Sequence, residues 1–365
     1  MSISNVRVCA LAAYIALAAV LAGCSAGSSQ TGMPLSGQIA GANSLLVQRD
    51  VRLDPRVTSI FARDRRAGAH TADRPSFMTP SAVGKPLLFV ATSDVVDIYL
   101  QRGKQKMVGQ ITGLAPSGIA TDAAGNLYVA NVGSSGAGAI PVYAPPYTGS
   151  PTSTLDDSGY LPQGVAVSSN GTVGVANIAN ASFGYNTGNV VIFAQHSAMP
   201  CATVTNSAYA YGLYAAFDGN GNLFVTGENV SGGIVLGEIT GGCDAKKMRI
   251  LAATPSTGLL FGIQVEKAGR IAILAEGGST YDDLDVFNAP RHGSLGSPVS
   301  IVELVTPADP MDFAFSASNH DVYTAEQGSG GLANTFDFPA GGMFKKSIPV
   351  GGAPEGVAVT PPSIP

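Results

Sequence analysis

The feature that most constrains this chain is an internal repeat running from residue 116 to the C-terminus. A short segment centred on a small or polar residue recurs six times. It reads Pro116-Ser117-Gly118-Ile119-Ala120, Pro162-Gln163-Gly164-Val165-Ala166, Tyr211-Gly212-Leu213, Phe261-Gly262-Ile263, Pro310-Met311-Asp312-Phe313-Ala314 and Pro354-Glu355-Gly356-Val357-Ala358. Aligned on residues 118, 164, 212, 262, 312 and 356, the copies are 46, 48, 50, 50 and 44 residues apart. Between them lie short apolar runs separated by Gly, Asn and Asp, with no 3.6-residue periodicity. A period of this length filled with strands is that of four-stranded propeller blades, which bury their faces only by packing on one another.

Each leading segment is followed by a second strand: Asn126–Asn131, Val173–Asn177, Leu223–Thr226, Ile271–Glu276 and Val322–Glu326. Third strands follow at Ile140–Tyr143, Val190–Phe193, Ile234–Leu236, Leu284–Phe287 and Thr335–Phe338. Turns such as Asp122-Ala123-Ala124-Gly125-Asn126 and Asp218-Gly219-Asn220-Gly221-Asn222 supply the positive-φ residues that tight hairpins need. The ends complete the pattern. Residues 87–112 hold three strands without a leading one, and Pro354–Thr360 is a leading strand without the other three. The expected fold is therefore all-β: a six-bladed propeller of four-stranded antiparallel blades, closed by N- and C-terminal strands that share one blade.

The N-terminal part reads differently. Arg7 precedes an unbroken apolar run from Val8 to Gly23, too short for a membrane span but suited to a signal-peptide core. The run ends in Leu21-Ala22-Gly23-Cys24, which resembles the bacterial lipobox. That resemblance implies a lipoprotein signal over residues 1–23, acylation of the Cys24 thiol, and anchoring to a membrane through the acyl chains. Ser25 in place of Asp favours outer-membrane sorting where such a membrane exists, so the expected location is the outer membrane and periplasm or the cell surface. Residues 24–84 carry seven Arg and four Asp among Ser, Gly, Ala and Pro, and read as a flexible tether. The propeller is then expected over 85–365.

Composition closes off several function classes. Hydrophobic residues make up 45% of the chain, enough for a large core and too many for intrinsic disorder. A net charge of −5 argues against nucleic acid as a partner, and four Cys against a disulfide-dense scaffold. The four His are scattered without zinc-ligand spacing, and no nucleophile elbow, Walker loop or Cys-x-x-Cys occurs. The alternating Asp218–Asn222 run lacks the bidentate Glu of a calcium loop and reads as a hairpin turn.

The unit Pro-x-Gly-Ile/Val-Ala-x-Asp-x-x-Gly-Asn-Leu-Tyr-Val-Ala-Asn resembles NHL-type repeats. Residues 86–361 are also similar to the six-bladed propellers of the gluconolactonase and senescence-marker-protein family. That resemblance implies a divalent cation in the central channel, held by a Glu, two Asn and an Asp mostly placed just before the aligned glycine. Here those positions hold Ser117, Gln163, Tyr211, Phe261, Met311 and Glu355, with Asp312 one residue off. Of these only Glu355 is a good ligand for a hard cation.

A second set of candidates ends the second strands, on the face where the leading strands begin: Asn131, Asn177, Glu228, Glu276 and Glu326. Such acids and amides suit a cation or a polyhydroxyl ligand. Alternatively, each caps its own turn. Cys201 and Cys243, just before the fourth strands of consecutive repeats, are candidates for a disulfide or for two free thiols. The resulting expectation is an exported, lipid-anchored, non-catalytic binding module whose top face meets a protein or carbohydrate. Its rivals are a metal-dependent lactone hydrolase and a structural envelope protein.

Overall fold

Strands sandwiched between two neighbouring sheets must be apolar or small on both faces, and this chain supplies them: Asn189–Phe193 and Ile271–Ala275 are buried at every position. A computed structural model describes residues 58, 60 and 75–363, apart from 134–137, 185, 259, 276–280, 307 and 329. The described strands form six small sheets arranged in a ring, a six-bladed β-propeller.

From the inside outward, blade 1 consists of Pro116–Thr121, Leu127–Asn131, Ala139–Tyr143 and Ser153–Asp156. Blade 2 is Tyr160–Val167, Val173–Asn180, Asn189–Phe193 and Pro200–Val204. Blade 3 is Tyr211–Phe217, Leu223–Glu228, Ile234–Ile239 and Arg249–Ala253. Blade 4 follows with Leu260–Val265, Ile271–Ala275, Asp282–Phe287 and Ser300–Val305. Blade 5 is Asp309–Phe315, Asp321–Gln327, Leu332–Asp337 and Lys346–Pro349. In blade 6 the C-terminal strand Gly356–Thr360 is innermost and pairs with Leu87–Ala91, followed by Val96–Leu100 and Met107–Ile111. The two ends of the propeller thus share one sheet, as expected.

The core lies between blades. Val142 and Leu155 of blade 1 cluster with Val175 and Phe193 of blade 2, and Leu88 and Val90 of blade 6 with Tyr323 and Ala333 of blade 5. Hairpin turns at the lower end close as their residues require. Asp122 accepts the Asn126 backbone N–H at 2.8 Å and its side-chain amide at 2.7 Å. Asp218 does the same for Asn222, so this alternating run is a turn.

The outer rim shows a regularity that the repeat does not announce. In every blade the connection between third and fourth strands reaches back to the preceding blade. Ala198 accepts the Asp156 N–H at 2.8 Å, and Cys243 is disulfide-bonded to Cys201. Ser294–Gly296 and Gly342–Met343 add short parallel strands to the edges of blades 3 and 4. Gln105 donates to Thr335 Oγ1 at 3.0 Å, and Tyr147 packs edge-on against Phe89 at 5.1 Å. Six contacts thus tie neighbouring blades together, and four of them lie on an outermost strand.

The propeller also reaches into the stretch read as tether. Phe77–Met78 forms a fifth, outermost strand on blade 6, and Ile60 is fully buried within the largest core cluster. A two-residue strand and a lone Ile among arginines carry no periodicity, so neither is visible in the sequence. Cys24 and the signal-like segment lie outside the described residues.

Candidate functional site: the central channel and its mouth

Adjacent inner strands approach so closely that a side chain is excluded at four of the six positions of one level of the ring. A Cβ on Gly164 would stand 2.5 Å from Leu213 O and 2.6 Å from Tyr214 Cα. On Gly118 it would meet Gln163 O at 2.7 Å, on Gly262 Asp312 Cα at 2.9 Å, and on Gly356 Ser117 O at 2.3 Å. Glycine is needed there because backbone fills the space.

The structure corrects the alignment in blade 3. Gly212 pairs with Gly227, and Ala215 with Val225, so Leu213 and Tyr214 bulge opposite Thr226. The same irregularity recurs at Pro116/Ile119, Pro162/Gly164, Leu260/Ile263 and Pro310/Asp312. The ring level is therefore Gly118, Gly164, Tyr214, Gly262, Asp312 and Gly356. The preceding level is Ser117, Gln163, Leu213, Phe261, Met311 and Glu355, with Leu213 where the sequence alignment had Tyr211. The bulge is common to these five blades, so it does not itself shift blade 3; there Gly212 occupies the place before the bulge that Pro116, Pro162, Leu260 and Pro310 hold elsewhere, and alignment on glycines takes it for the ring position.

The two ring positions without glycine carry side chains that bridge strands. Asp312 accepts the Val357 N–H of blade 6 at 3.1 Å. Burial pushes its carboxyl up to about 8, against the opposing pull of the Val357 and Phe313 amides. Tyr214 of blade 3 donates its hydroxyl to Glu355 O at 2.8 Å, spanning the axis toward blade 6 on the opposite side. The Glu355 carboxylate takes amide donors from Gln163 of blade 2 at 3.2 Å and Gln327 of blade 5 at 3.4 Å. All four residues Gln163, Tyr214, Asp312 and Glu355 are buried. Below them, Ala120, Ala166, Ala216, Gln264, Ala314 and Ala358 line a cavity of about 90 Å³, bounded at the lower end by Pro362 and Ser363.

The acids and amides ending the second strands fall into two registers. Asn131, Asn177 and Glu326 occupy equivalent places, opposite Pro116, Pro162 and Pro310. In blades 3 and 4 that place belongs to Gly227 and Ala275. Glu228 is one residue further along, hence on the other face of its strand, and Glu276 lies outside the described residues. The three equivalent residues each tie the connection before a blade to its second strand. Asn131 Oδ1 accepts the Ala115 N–H at 2.6 Å. Asn177 Nδ2 donates to Asp157 Oδ1 at 3.3 Å and Asn189 Oδ1 at 2.9 Å. Glu326 accepts from Thr306, from Thr324 at 2.5 Å and from Asn334 at 2.7 Å. Burial raises the Glu326 carboxyl, against these three donors. Asp157 and Thr306, missed in the sequence, both precede their partners by 20 residues. That shared spacing is the signal that would have found them.

These residues do not fit the cation that the lactonase resemblance implies. Three of the six positions before the ring are Leu213, Phe261 and Met311, and Glu355 is engaged by two amides. Among the described residues, no group of three or more His, Cys, Asp or Glu is placed to hold a metal ion.

No protein-family profile matches the chain, and no curated protein matches it. Among solved structures it is similar to a protein of unknown function from Bacteroides caccae, with a TM-score of 0.54 and 11% identity, over 76% of this chain and 99% of that one. At that identity the similarity concerns the fold alone.

Proposed function

We propose that this chain is an exported propeller, anchored through acylated Cys24, that works as a binding module and carries no chemistry in its channel. The observation that supports this most is the closed channel mouth. Tyr214 crosses it, Gln163 donates to the Glu355 carboxylate, and the cavity beneath falls well short of the roughly 300 Å³ at which ligand pockets begin. Recognition then falls to the outer surface. One recess of about 500 Å³ on the rim between blades 6 and 1 is lined by Ser76, Thr112, Tyr143, Thr148, Gly149, Ser150 and Pro151. Its wall is hydroxyl-rich and uncharged, which suits a neutral, polar partner such as a carbohydrate chain.

Two measurements test this reading. Elemental analysis of the chain purified without chelator should find no stoichiometric divalent metal, and a chelator should leave its melting temperature unchanged. Neutral oligosaccharides should raise that temperature, and Thr148→Ala with Ser150→Ala should abolish the rise. A stoichiometric metal together with chelator-sensitive hydrolysis of a lactone would replace the binding module by the hydrolase. Replacing Cys24 by Ala should release the chain from membranes; retention after a high-salt wash would remove the anchor.

A further inference from the structure

Two buried oxygens, one in the connection before blade 2 and one on its second strand, have no hydrogen-bond donor. Asp157 and Asn177 are both nearly inaccessible, at 2% and 0% exposure. The Asn177 amide turns its NH₂ group to two acceptors, Asp157 Oδ1 and Asn189 Oδ1. Asn177 Oδ1 is then left without a donor, and so is Asp157 Oδ2. Buried polar atoms are rarely left unmatched, and these two belong to side chains already joined by one hydrogen bond. An ionised Asp157 would offer only acceptors to an amide oxygen that needs a donor. A protonated one supplies the missing hydrogen.

We propose that Asp157 is a neutral carboxylic acid in the folded chain, its Oδ2–H donating to Asn177 Oδ1 while Asn177 Nδ2 donates to Asp157 Oδ1. Acid and amide close a ring of two hydrogen bonds. That ring latches the connection before blade 2 onto the second strand of the blade. Loss of the proton to solvent removes one of the two bonds and leaves a buried carboxylate facing the amide oxygen. The surroundings favour the neutral form. Burial is the main cause that lifts this carboxyl to about 7, Asn177 opposes it, and the neighbouring Asp156 adds to it. Asp156 is itself exposed, and the Ser158 hydroxyl and N–H hold it below the usual carboxylate range, so it remains an anion beside the latch. The side chain that Asp157 meets on the second strand is the uncharged amide of Asn177, Tyr160 of the first strand donates its backbone N–H to Asp157 O at 3.2 Å, and the charge acting on the carboxyl is that of Asp156.

The direction of the pH effect follows. In the unfolded chain the Asp157 carboxyl titrates near its ordinary 3.8, and in the folded chain near 7. Between these values only the folded state holds the proton. This group's contribution is complete below about 4, declines as pH rises, and levels off above about 7. The loss amounts to roughly tenfold in the folding constant per pH unit across that window.

The test is the stability of the full chain against pH, compared with Asp157→Asn. The variant keeps both hydrogen bonds, because its Nδ2 donates to Asn177 Oδ1, but has no proton to lose. Its folding constant should fall less steeply than that of the wild type, by about tenfold per pH unit between roughly pH 4 and 7. Equal slopes would overturn the proposal. Should the variant fail to fold, the carboxyl carbon of Asp157 can be followed by NMR in the wild-type chain. A midpoint near neutrality supports the latch, and one in the ordinary carboxylate range overturns it.

Discussion

Breaking the Cys201–Cys243 bond should cost this propeller about 4 kcal/mol. The bond closes a segment with a sequence separation of 42 residues, between Cα atoms 5.1 Å apart. On the loop-entropy relation a closed loop of that length restricts the unfolded chain by roughly 13 cal/mol/K, or about 4 kcal/mol at 25 °C. Cys201 is exposed on the outer strand of blade 2 and Cys243 half-buried in a short 3₁₀ turn, so little packing is lost with the sulfurs. For a domain of about 290 residues the unfolding entropy is roughly 0.6 kcal/mol/K, and the melting temperature should fall by about 7 °C. The assay is calorimetry on the oxidised chain, on the same chain with reductant, and on variants in which Cys201, Cys243 or both become Ser. All four altered forms should melt together, because either single substitution already removes the crosslink. Alkylation of both cysteines in the oxidised, denatured chain, or a shift below about 1 °C, would refute the bond and with it the covalent contact between blades 2 and 3.

Three further outcomes are expected. Gly164→Ala places a methyl group 2.5 Å from the carbonyl of Leu213, where only backbone can yield; it should destabilise the chain by 1–3 kcal/mol or more in denaturant titrations, and an unchanged midpoint would contradict the close approach. Ile60→Ala should cost about 2–5 kcal/mol, measured the same way, because this residue is fully buried; a surface-like cost near zero would return it to the tether. Removing Pro354–Pro365 deletes the innermost strand of blade 6 and exposes Leu87–Ala91 as a new edge, so the truncated chain should lose cooperative melting; a normal transition would argue against closure by the two ends.

Much of the architecture was legible because the signals that carry it are local. Asp122–Asn126 and Asp218–Asn222 dictate their own turns through side-chain to backbone bonds. Val190–Phe193 and Ile271–Ala275 show burial on both faces directly in their composition. The site was read less well. Tyr214 is an ordinary aromatic in the sequence, and Asp157 an ordinary loop acid beside Asp156. Their roles arise from partners 141 and 20 residues away.

The sequence by itself determined the number of blades, their strand order and the sharing of one sheet by the two ends. Alternation, turn chemistry and repeat length are properties of consecutive residues. Tertiary structure decided which side chains meet at the axis. In blade 3 Gly212 pairs two residues ahead of the ring, opposite Gly227, so Tyr214 stands at the ring instead, and strand register separates Glu228 from Asn131, Asn177 and Glu326. It likewise decided that the rim is tied by a disulfide in one place, added strands in two, and polar or aromatic contacts in the rest. Shifting a strand by one residue reverses every side chain it carries, which is why Glu228, one residue beyond Gly227, faces away from the place that Asn131, Asn177 and Glu326 hold.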